Sequence, residues 1–220
     1  MTYDDRLIVL NTTRFKDGAV VLHALSRECG RKGYVVSVGK GNAMALMQPM
    51  NILDAKVSEN PKSSLLRASQ LGCSDALWGI RSSHSKNSMT MFMAEVLFRS
   101  LAEGSREEGL FEWCEENIRA LDALESDFSN YHLRFLLELC SVLGFRPQME
   151  NMAPFAGEHM EPIRMLLELP MSESMLVPLT GAARNEIASI VLKYLSFHID
   201  APLNIQSLAI LRELYLPFTR

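Results

Sequence analysis

Six basic residues in the first third of the chain lie at or beside predicted reversals of the backbone. They flank three glycine-containing turns, and the set is Arg14, Lys16, Arg27, Arg31, Lys32 and Lys40. Cations placed in this way can hold the phosphates of a nucleic acid, because that attraction does not depend on base sequence. Phe15 lies between two of these residues and Tyr34 follows a third, so a base could stack on either ring. Both rings could equally belong to the core of the fold.

The charge of the chain is unevenly divided. Residues 1–72 contain ten Lys and Arg against six Asp and Glu, whereas the remaining residues contain twelve against twenty. A basic module is therefore joined to an acidic one, although the whole chain carries only −4. Such asymmetry points to contact with a polyanion. The alternative is an uneven but solvated surface, which so small an excess of positive charge also permits.

The first third of the chain has the pattern of a small β-structure. Short apolar, β-branched runs between the turns predict strands over residues 7–10, 19–22 and 34–38. A fourth strand is predicted over 44–57, with Pro49 at an edge or bulge. Residues 63–67 fit either a fifth strand or a short helix. Four or five short strands within a third of the chain are typical of a small barrel.

The pattern becomes helical after Cys73. Apolar residues at helical spacing predict helices over 85–103, 108–124, 129–143, 163–169, 181–197 and 205–216. We therefore expect a strand-rich domain over residues 1–72 and an all-helical domain over 73–220, which makes the fold class α+β. Met89, Met91 and Met93 either fill the helical core or form an adaptable apolar groove for a partner.

The residue types that support metal or catalytic chemistry are scattered. The four cysteines form no C-x-x-C pair and the five histidines no H-x-x-x-H pair, so we expect neither a metal nor a cofactor. The Gly39 to Asn42 segment lacks the spacing of a phosphate-binding loop. The acidic run 107–116 is typical of a solvated helix face. We accordingly expect no enzymatic activity.

We expect neither a signal peptide nor a membrane span in this sequence. Asp4 and Asp5 lie where a signal peptide would be basic, and no apolar stretch approaches the roughly 18 to 20 residues of a membrane span. The expectation is a soluble cytoplasmic protein without a membrane partner.

Three groups of motifs, taken in order, resemble the bacterial recombination mediator family RecO. The first is residues 8–18 (IVLNTTRFKDG), 25–31 (LSRECGR) and 38–40 (VGK). The second is 132–139 (HLRFLLEL) followed by 143–147 (LGFRP), and the third is 192–195 (LKYL) with His198, Ser207 and Leu211. The resemblance implies a five-stranded OB-fold barrel followed by a helical domain. It also implies a bacterial cytoplasmic location at the nucleoid.

The resemblance further implies a non-enzymatic DNA repair and recombination mediator that binds single- and double-stranded DNA and anneals complementary strands. Its implied partners are RecR and the acidic C-terminal tail of the single-stranded-DNA-binding protein. The family helps to load RecA onto strands that this protein coats. On this reading the six turn cations hold phosphates, Tyr34 stacks a base, and Arg134 is the candidate for receiving the tail. The alternative function is a protein-interaction scaffold for an acidic peptide, with DNA contact incidental.

The chain departs from the family pattern in one respect. Many members carry a four-cysteine zinc site after the second motif group, and residues 148–162 contain no cysteine. We expect this segment to be held by the packing of residues such as Met152 and Phe155 instead.

Overall fold

The computed structural model describes residues 1–38, 43–59 and 65–214. Five strands of the described chain close into a barrel in the order β1-β2-β3-β5-β4. Neighbouring strands are antiparallel except β3 and β5, which are parallel. The strands are β1 (Thr2–Lys16), β2 (Ala19–Ser26), β3 (Gly30–Ser37), β4 (Ile52–Ser58) and β5 (Leu66–Cys73). The predicted five-stranded, OB-type barrel is confirmed.

The strand β1 is much longer than predicted because it serves two neighbours. Residues 2–8 pair with β4, and residues 7–16 pair with β2. A register shift between Val9 and Asn11 makes Leu10 an extra residue, and such a bulge bends a strand. Leu7 and Val9 belong to the barrel core, whereas Ile8 and Leu10, which alternate with them, are buried as well. A strand buried on both faces explains the unbroken apolar run in the sequence.

The predicted fourth strand is wrong in its first half. A short helix, α1 (Ala43–Leu46), occupies the start of that range, Pro49 lies in a turn, and β4 begins only at Ile52. The helical period explains the difference: Ala43, Leu46 and Met47 are three and four residues apart and all pack against the barrel core. A strand would have turned alternate residues away from that core.

The rest of the described chain is helical, as predicted. The helices are α2 (Trp78–Arg81), α3 (His84–Ser100), α4 (Leu110–Ala123), α5 (Tyr131–Val142), α6 (Met149–Ala156), α7 (Met160–Glu168), α8 (Met171–Ser174), α9 (Gly181–His198) and α10 (Ser207–Leu214). The sequence patterns missed α2, α6 and α8. Their short lengths leave too few turns for a periodic signal.

Residues 148–162, which we expected to be held by packing, are mostly helical. Met152 of α6 is fully buried, and the ring of Phe155 lies edge-on to Tyr194 of α9 at 5.6 Å between ring centroids. A one-turn 3₁₀ helix, Gly157–His159, joins α6 to α7. Met89 and Met93 of α3 are also fully buried, so of the two explanations for the methionine cluster they follow core filling.

The chain divides into two compact units whose limits fall inside α2, α3 and α4. The barrel unit consists of Met1–Trp78 with Ala94–Arg119, and the helical unit consists of Gly79–Met93 with the residues from Ala120 onward. The barrel unit thus contains a helical piece from the acidic part of the sequence. A sequence domain boundary after residue 72 stays a prediction. Among the described residues, no helix combines the length and apolar character that crossing a bilayer requires.

Two buried polar side chains organise the helical unit around α5. The Asn130 amide donates hydrogen bonds to the backbone oxygens of Ser174, Met175 and Val177, at 3.1, 3.2 and 2.9 Å. Its own oxygen accepts one from Arg184 Nε at 2.8 Å. His132, two residues further on, is fully buried, and burial together with the positive charge of Arg184 lowers its pKa to about 3.

The depressed pKa of His132 predicts acid sensitivity of the helical unit. The unfolded chain takes up a proton near the ordinary pKa of 6.5, whereas the folded chain resists it down to about 3, so stability falls as the pH drops through that window. Between pH 7 and pH 5 we expect this residue to cost about 2 kcal/mol of unfolding free energy. Urea unfolding of the wild type and of His132→Gln at both pH values measures it.

The comparison rests on the pH dependence, because His132→Gln changes the absolute stability as well. The variant should lose distinctly less stability than the wild type on acidification. Equal losses in the two proteins would show that His132 already titrates normally in the folded state.

Candidate nucleic-acid interface

The strand β2 separates the predicted phosphate-binding residues into two groups. Its eight residues at about 3.4 Å each place its two ends more than 20 Å apart. Arg14 and Lys16 lie at the end where β1 turns into β2, whereas the other three described residues lie around the turn into β3. These are Arg27, Arg31 and Lys32. The structure therefore places these five residues at two ends of β2 and not together, and Lys40 lies outside the described residues.

The arginines at the β2–β3 end already have partners within the barrel unit. Arg27 Nε lies 3.1 Å from Glu112 Oε1 of α4. The Arg31 guanidinium lies over the Phe98 ring of α3 at 4.5 Å from its centroid, and burial lowers the Arg31 pKa. Lys32 is half-buried and forms no ion pair with a described residue. We call this region the paired end.

Backbone contacts hold the acidic helical piece against the paired end. The Arg31 amide donates to the Ser105 oxygen at 3.1 Å, and the Gly104 amide donates to the Arg31 oxygen at 2.7 Å. Gly30 makes this approach possible, because its φ is +67° and a Cβ atom there would lie 2.0 Å from the Ser105 oxygen. Nearby, Arg6 Nη1 lies 3.0 Å from Glu115 Oε1. Part of the barrel's positive charge is therefore neutralised inside its own unit.

The opposite end of β2 presents cations that are available to a ligand. Arg14 and Lys16 are exposed, and neither forms an ion pair within residues 1–38, 43–59 and 65–214. Lys16 pairs across the sheet with Ala19, and Ala19 pairs with Ser37 of β3. Arg67 of β5 donates to the Ser37 hydroxyl at 3.4 Å. We call this region the hairpin-end surface, defined by Arg14, Phe15, Lys16, Ser37 and Arg67.

Arg67 is a candidate contact that the sequence reasoning missed. It pairs with Val35 of β3, which has the same parity as Ser37, so Arg67 and Ser37 share the outer face of the sheet. It also borders a cleft of about 350 Å³ that Leu46 of α1 and Leu71 of β5 help to line. The sequence does place this basic residue near the start of a possible strand. Because residues 63–67 fitted a strand and a helix equally well, the sequence did not show which face Arg67 occupies.

Two of the predicted site residues have structural roles instead. Tyr34 has no exposed surface and belongs to the barrel core, so the expectation that it stacks a base is wrong. Arg134 lies 2.7 Å from Glu138 and donates to the backbone oxygens of Leu166, Leu167 and Leu169. Its guanidinium therefore caps the carbonyl groups at the end of α7. These contacts give Arg134 a structural role, and its role in receiving a partner peptide stays a prediction.

The helical unit contains a larger cleft of about 740 Å³ beside α9. Apolar surface from Phe155 and Ile190 lines it together with the cations Lys193 and Arg212. Glu158, His159 and Glu186 lie in the same cleft, and their potential ligand atoms are all within 4.8 Å of one another. They could hold a cation, but His159 Nε2 already lies 2.5 Å from Glu186 Oε2, which satisfies both groups.

The buried thiols have no sign of activation. Burial raises the pKa of the Cys114 thiol, and it raises that of Cys140 to about 12. A thiolate is the reactive form of cysteine, so both side chains behave as small apolar residues.

The sequence of this chain is similar to those of known DNA repair proteins. Residues 81–154 match the family model described as "Recombination protein O C terminal". A protein named "DNA repair protein RecO" from Phocaeicola vulgatus is 28% identical, over 94% of this chain and 97% of the relative. One of the same name from Flavobacterium psychrophilum is 25% identical, over 98% and 100%, and one from Bacteroides fragilis is 24% identical, over 94% and 97%. The chain is thus similar to proteins named "DNA repair protein RecO" over nearly its whole length, and the resemblance that its sequence motifs indicate is confirmed.

Proposed function

We propose that this protein is a DNA repair and homologous recombination mediator that binds single- and double-stranded DNA through its barrel. The similarity to RecO proteins over almost the entire chain carries the repair and recombination role. In this proposal it anneals complementary strands. It also acts with RecR to load RecA on strands coated by the single-stranded-DNA-binding protein. The proposal assigns no bond-breaking chemistry to the chain itself.

The hairpin-end surface is the main DNA contact in this proposal. Arg14 and Lys16 are exposed and have no acidic partner in the described chain, so a phosphate does not have to displace a carboxylate to reach them. Arg67 adds a third cation on the same side of the sheet as Ser37. Lys40 stays a proposed contact, since the chain leaves β3 at this end: the Val38 amide donates to the Gly18 oxygen at 2.8 Å.

Removing the three described cations should weaken DNA binding and flatten its salt dependence. For the combined Arg14→Ala, Lys16→Ala and Arg67→Ala variant we expect roughly ten- to hundredfold weaker binding of a single-stranded oligonucleotide at low salt. The slope of log affinity against log salt should fall by about 2, since each phosphate contact releases counterions. Fluorescence anisotropy at several salt concentrations measures both quantities.

A charge-matched control separates local contact from overall charge. The combined Arg99→Ala, Arg119→Ala and Arg164→Ala variant removes three cations that are already paired with carboxylates. Equal weakening in the two triple variants would reject the hairpin-end surface as the contact. A wild-type protein that binds no DNA even at low salt would reject DNA binding itself.

The paired end is proposed as a second, weaker contact whose cations compete between carboxylate and phosphate. The Arg27 and Glu112 side chains are each about half exposed (49%), and an exposed ion pair of this kind is worth only about 0 to 1 kcal/mol. A DNA phosphate can therefore replace Glu112 at small cost. Arg31 is less available, because its guanidinium lies over Phe98.

Neutralising Glu112 should strengthen DNA binding. We expect Glu112→Gln to bind single-stranded DNA roughly threefold more tightly at low salt, because Arg27 then has no competing carboxylate. Glu116→Gln is the matched control, since this exposed residue of the same helix forms no ion pair in the described chain. The gain should vanish when Arg27→Ala is added. A gain that persists in that double variant would show that Arg27 is not involved.

The cleft beside α9 favours the protein-partner part of the proposal, and it also suits the alternative scaffold function. The acidic, phenylalanine-ended tail of the single-stranded-DNA-binding protein needs an apolar recess flanked by cations. Phe155 and Ile190 supply apolar lining, while Lys193 and Arg212 supply the positive charge. Glu158 and Glu186 lie at the same cleft, so the acidic part of the tail should lie towards Lys193 and Arg212.

Charge reversal in this cleft should abolish binding of the tail. We expect the combined Lys193→Glu and Arg212→Glu variant to bind a labelled acidic peptide ending in phenylalanine at least tenfold more weakly by anisotropy. Arg164→Glu on α7 is the control, because Arg164 is partly exposed but lies outside the cleft. Unchanged peptide binding in the double variant would exclude the cleft. Peptide binding without any DNA binding by the wild type would favour the scaffold function.

A further inference from the structure

Phe15 is the extra residue of a β-bulge at the tip of the β1–β2 hairpin. Arg14 pairs with Val20 and Lys16 pairs with Ala19, so β1 advances two residues while β2 advances one. In a regular strand Arg14 and Lys16 would point to one face of the sheet and Phe15 to the other. A bulge interrupts this alternation and redirects the side chain of the inserted residue.

The redirected ring lies beside a cation and remains open to a ligand. The Lys16 ammonium lies 5.7 Å from the centroid of the Phe15 ring, and the Phe15 side chain is 48% exposed. The neighbouring Arg14 is also exposed. The exposed Phe15 ring thus lies at the end of the barrel, and both of its neighbours in the sequence are cations.

The two tyrosines of the described barrel strands are buried or hydrogen-bonded within the barrel, unlike Phe15. Tyr34 is fully buried in the core, and Tyr3 is partly buried and hydrogen-bonds through its hydroxyl to Cys29 Sγ at 3.2 Å. Phe15 lies outside the core cluster, and its ring carries no hydrogen-bonding group. A single exposed apolar residue is ordinary on a protein surface, so the argument depends on the bulge and on the two unpaired cations beside it.

We propose that Phe15 is a base-stacking residue that selects single-stranded over double-stranded DNA at the hairpin-end surface. This rests on the proposed DNA binding and names the strand type that the surface prefers. A phosphate on either side of the stacked nucleotide is held by Arg14 or Lys16, while the base lies on the exposed ring. The bases of an intact duplex are stacked on each other, so they cannot occupy the ring.

The experiment compares substitutions of Phe15 on two DNA substrates. For Phe15→Ala we expect roughly tenfold weaker binding of an oligothymidylate and less than twofold weaker binding of a duplex of equal length. The salt slope should stay as in the wild type, because no phosphate contact is removed. Phe15→Leu is the matched control: it keeps apolar bulk but cannot stack, so it should resemble Phe15→Ala. Phe15→Trp should keep the wild-type affinity.

Phe15→Trp also gives a direct signal of stacking. Its fluorescence, after subtraction of the wild-type signal from Trp78 and Trp113, should be quenched by oligothymidylate and not by duplex. Equal weakening of both substrates by Phe15→Ala, or wild-type affinity in Phe15→Leu, would overturn the stacking role while leaving DNA binding intact. A wild-type protein that binds neither substrate would instead overturn the proposed function on which the role rests.

Discussion

The pairing of one long strand with two different neighbours is the constraint on which the barrel unit depends. The first half of β1 hydrogen-bonds to β4 and the second half to β2, with only residues 7 and 8 shared between them. A strand can do this only if it bends, and the bulge at Leu10 supplies the bend. The consequence is a β1–β2 hairpin that ends away from β4 and carries Arg14, Phe15 and Lys16 on its tip.

The same topology divides the basic residues of the barrel into two groups, one at each end of β2. Antiparallel strands place successive turns at opposite ends, so the basic residues of the two turns cannot meet. At one end the acidic helix α4 pairs with Arg27 and Arg6, and α3 contacts Arg31 through Phe98. At the other end the cations face solvent. An acidic protein can in this way keep a local basic surface, because Glu112 and Glu115 of α4 lie at the opposite end of β2.

The helical unit uses buried polar side chains to hold segments that lack regular pairing. Arg134 binds the free carbonyl groups at the end of α7, and Lys86 donates to those of Asp122 and Leu124 at the end of α4. Asn130 does the same for the chain after α8. Each side chain supplies donors to backbone oxygens near a helix end, where the helix leaves carbonyl groups without an intrahelical partner. Such residues look like ligand-binding candidates in a sequence, since only their surroundings show where their donors are used.

The sequence by itself determined the elements whose signal is local. Turn glycines, apolar runs and helical spacing were enough for the barrel and the long helices, and the resemblance to RecO came from short sequence motifs. What only the tertiary structure decided was the partner of each charged or aromatic side chain. Arg14 and Arg27 have the same chemistry and similar turn-flanking positions, yet one is open and the other faces Glu112, a residue 85 positions away. Tyr34 and Phe15 differ in the same way, because strand parity buries one ring and a bulge exposes the other. Register, bulges and long-range ion pairs depend on contacts between distant segments, and no spacing along the chain encodes them.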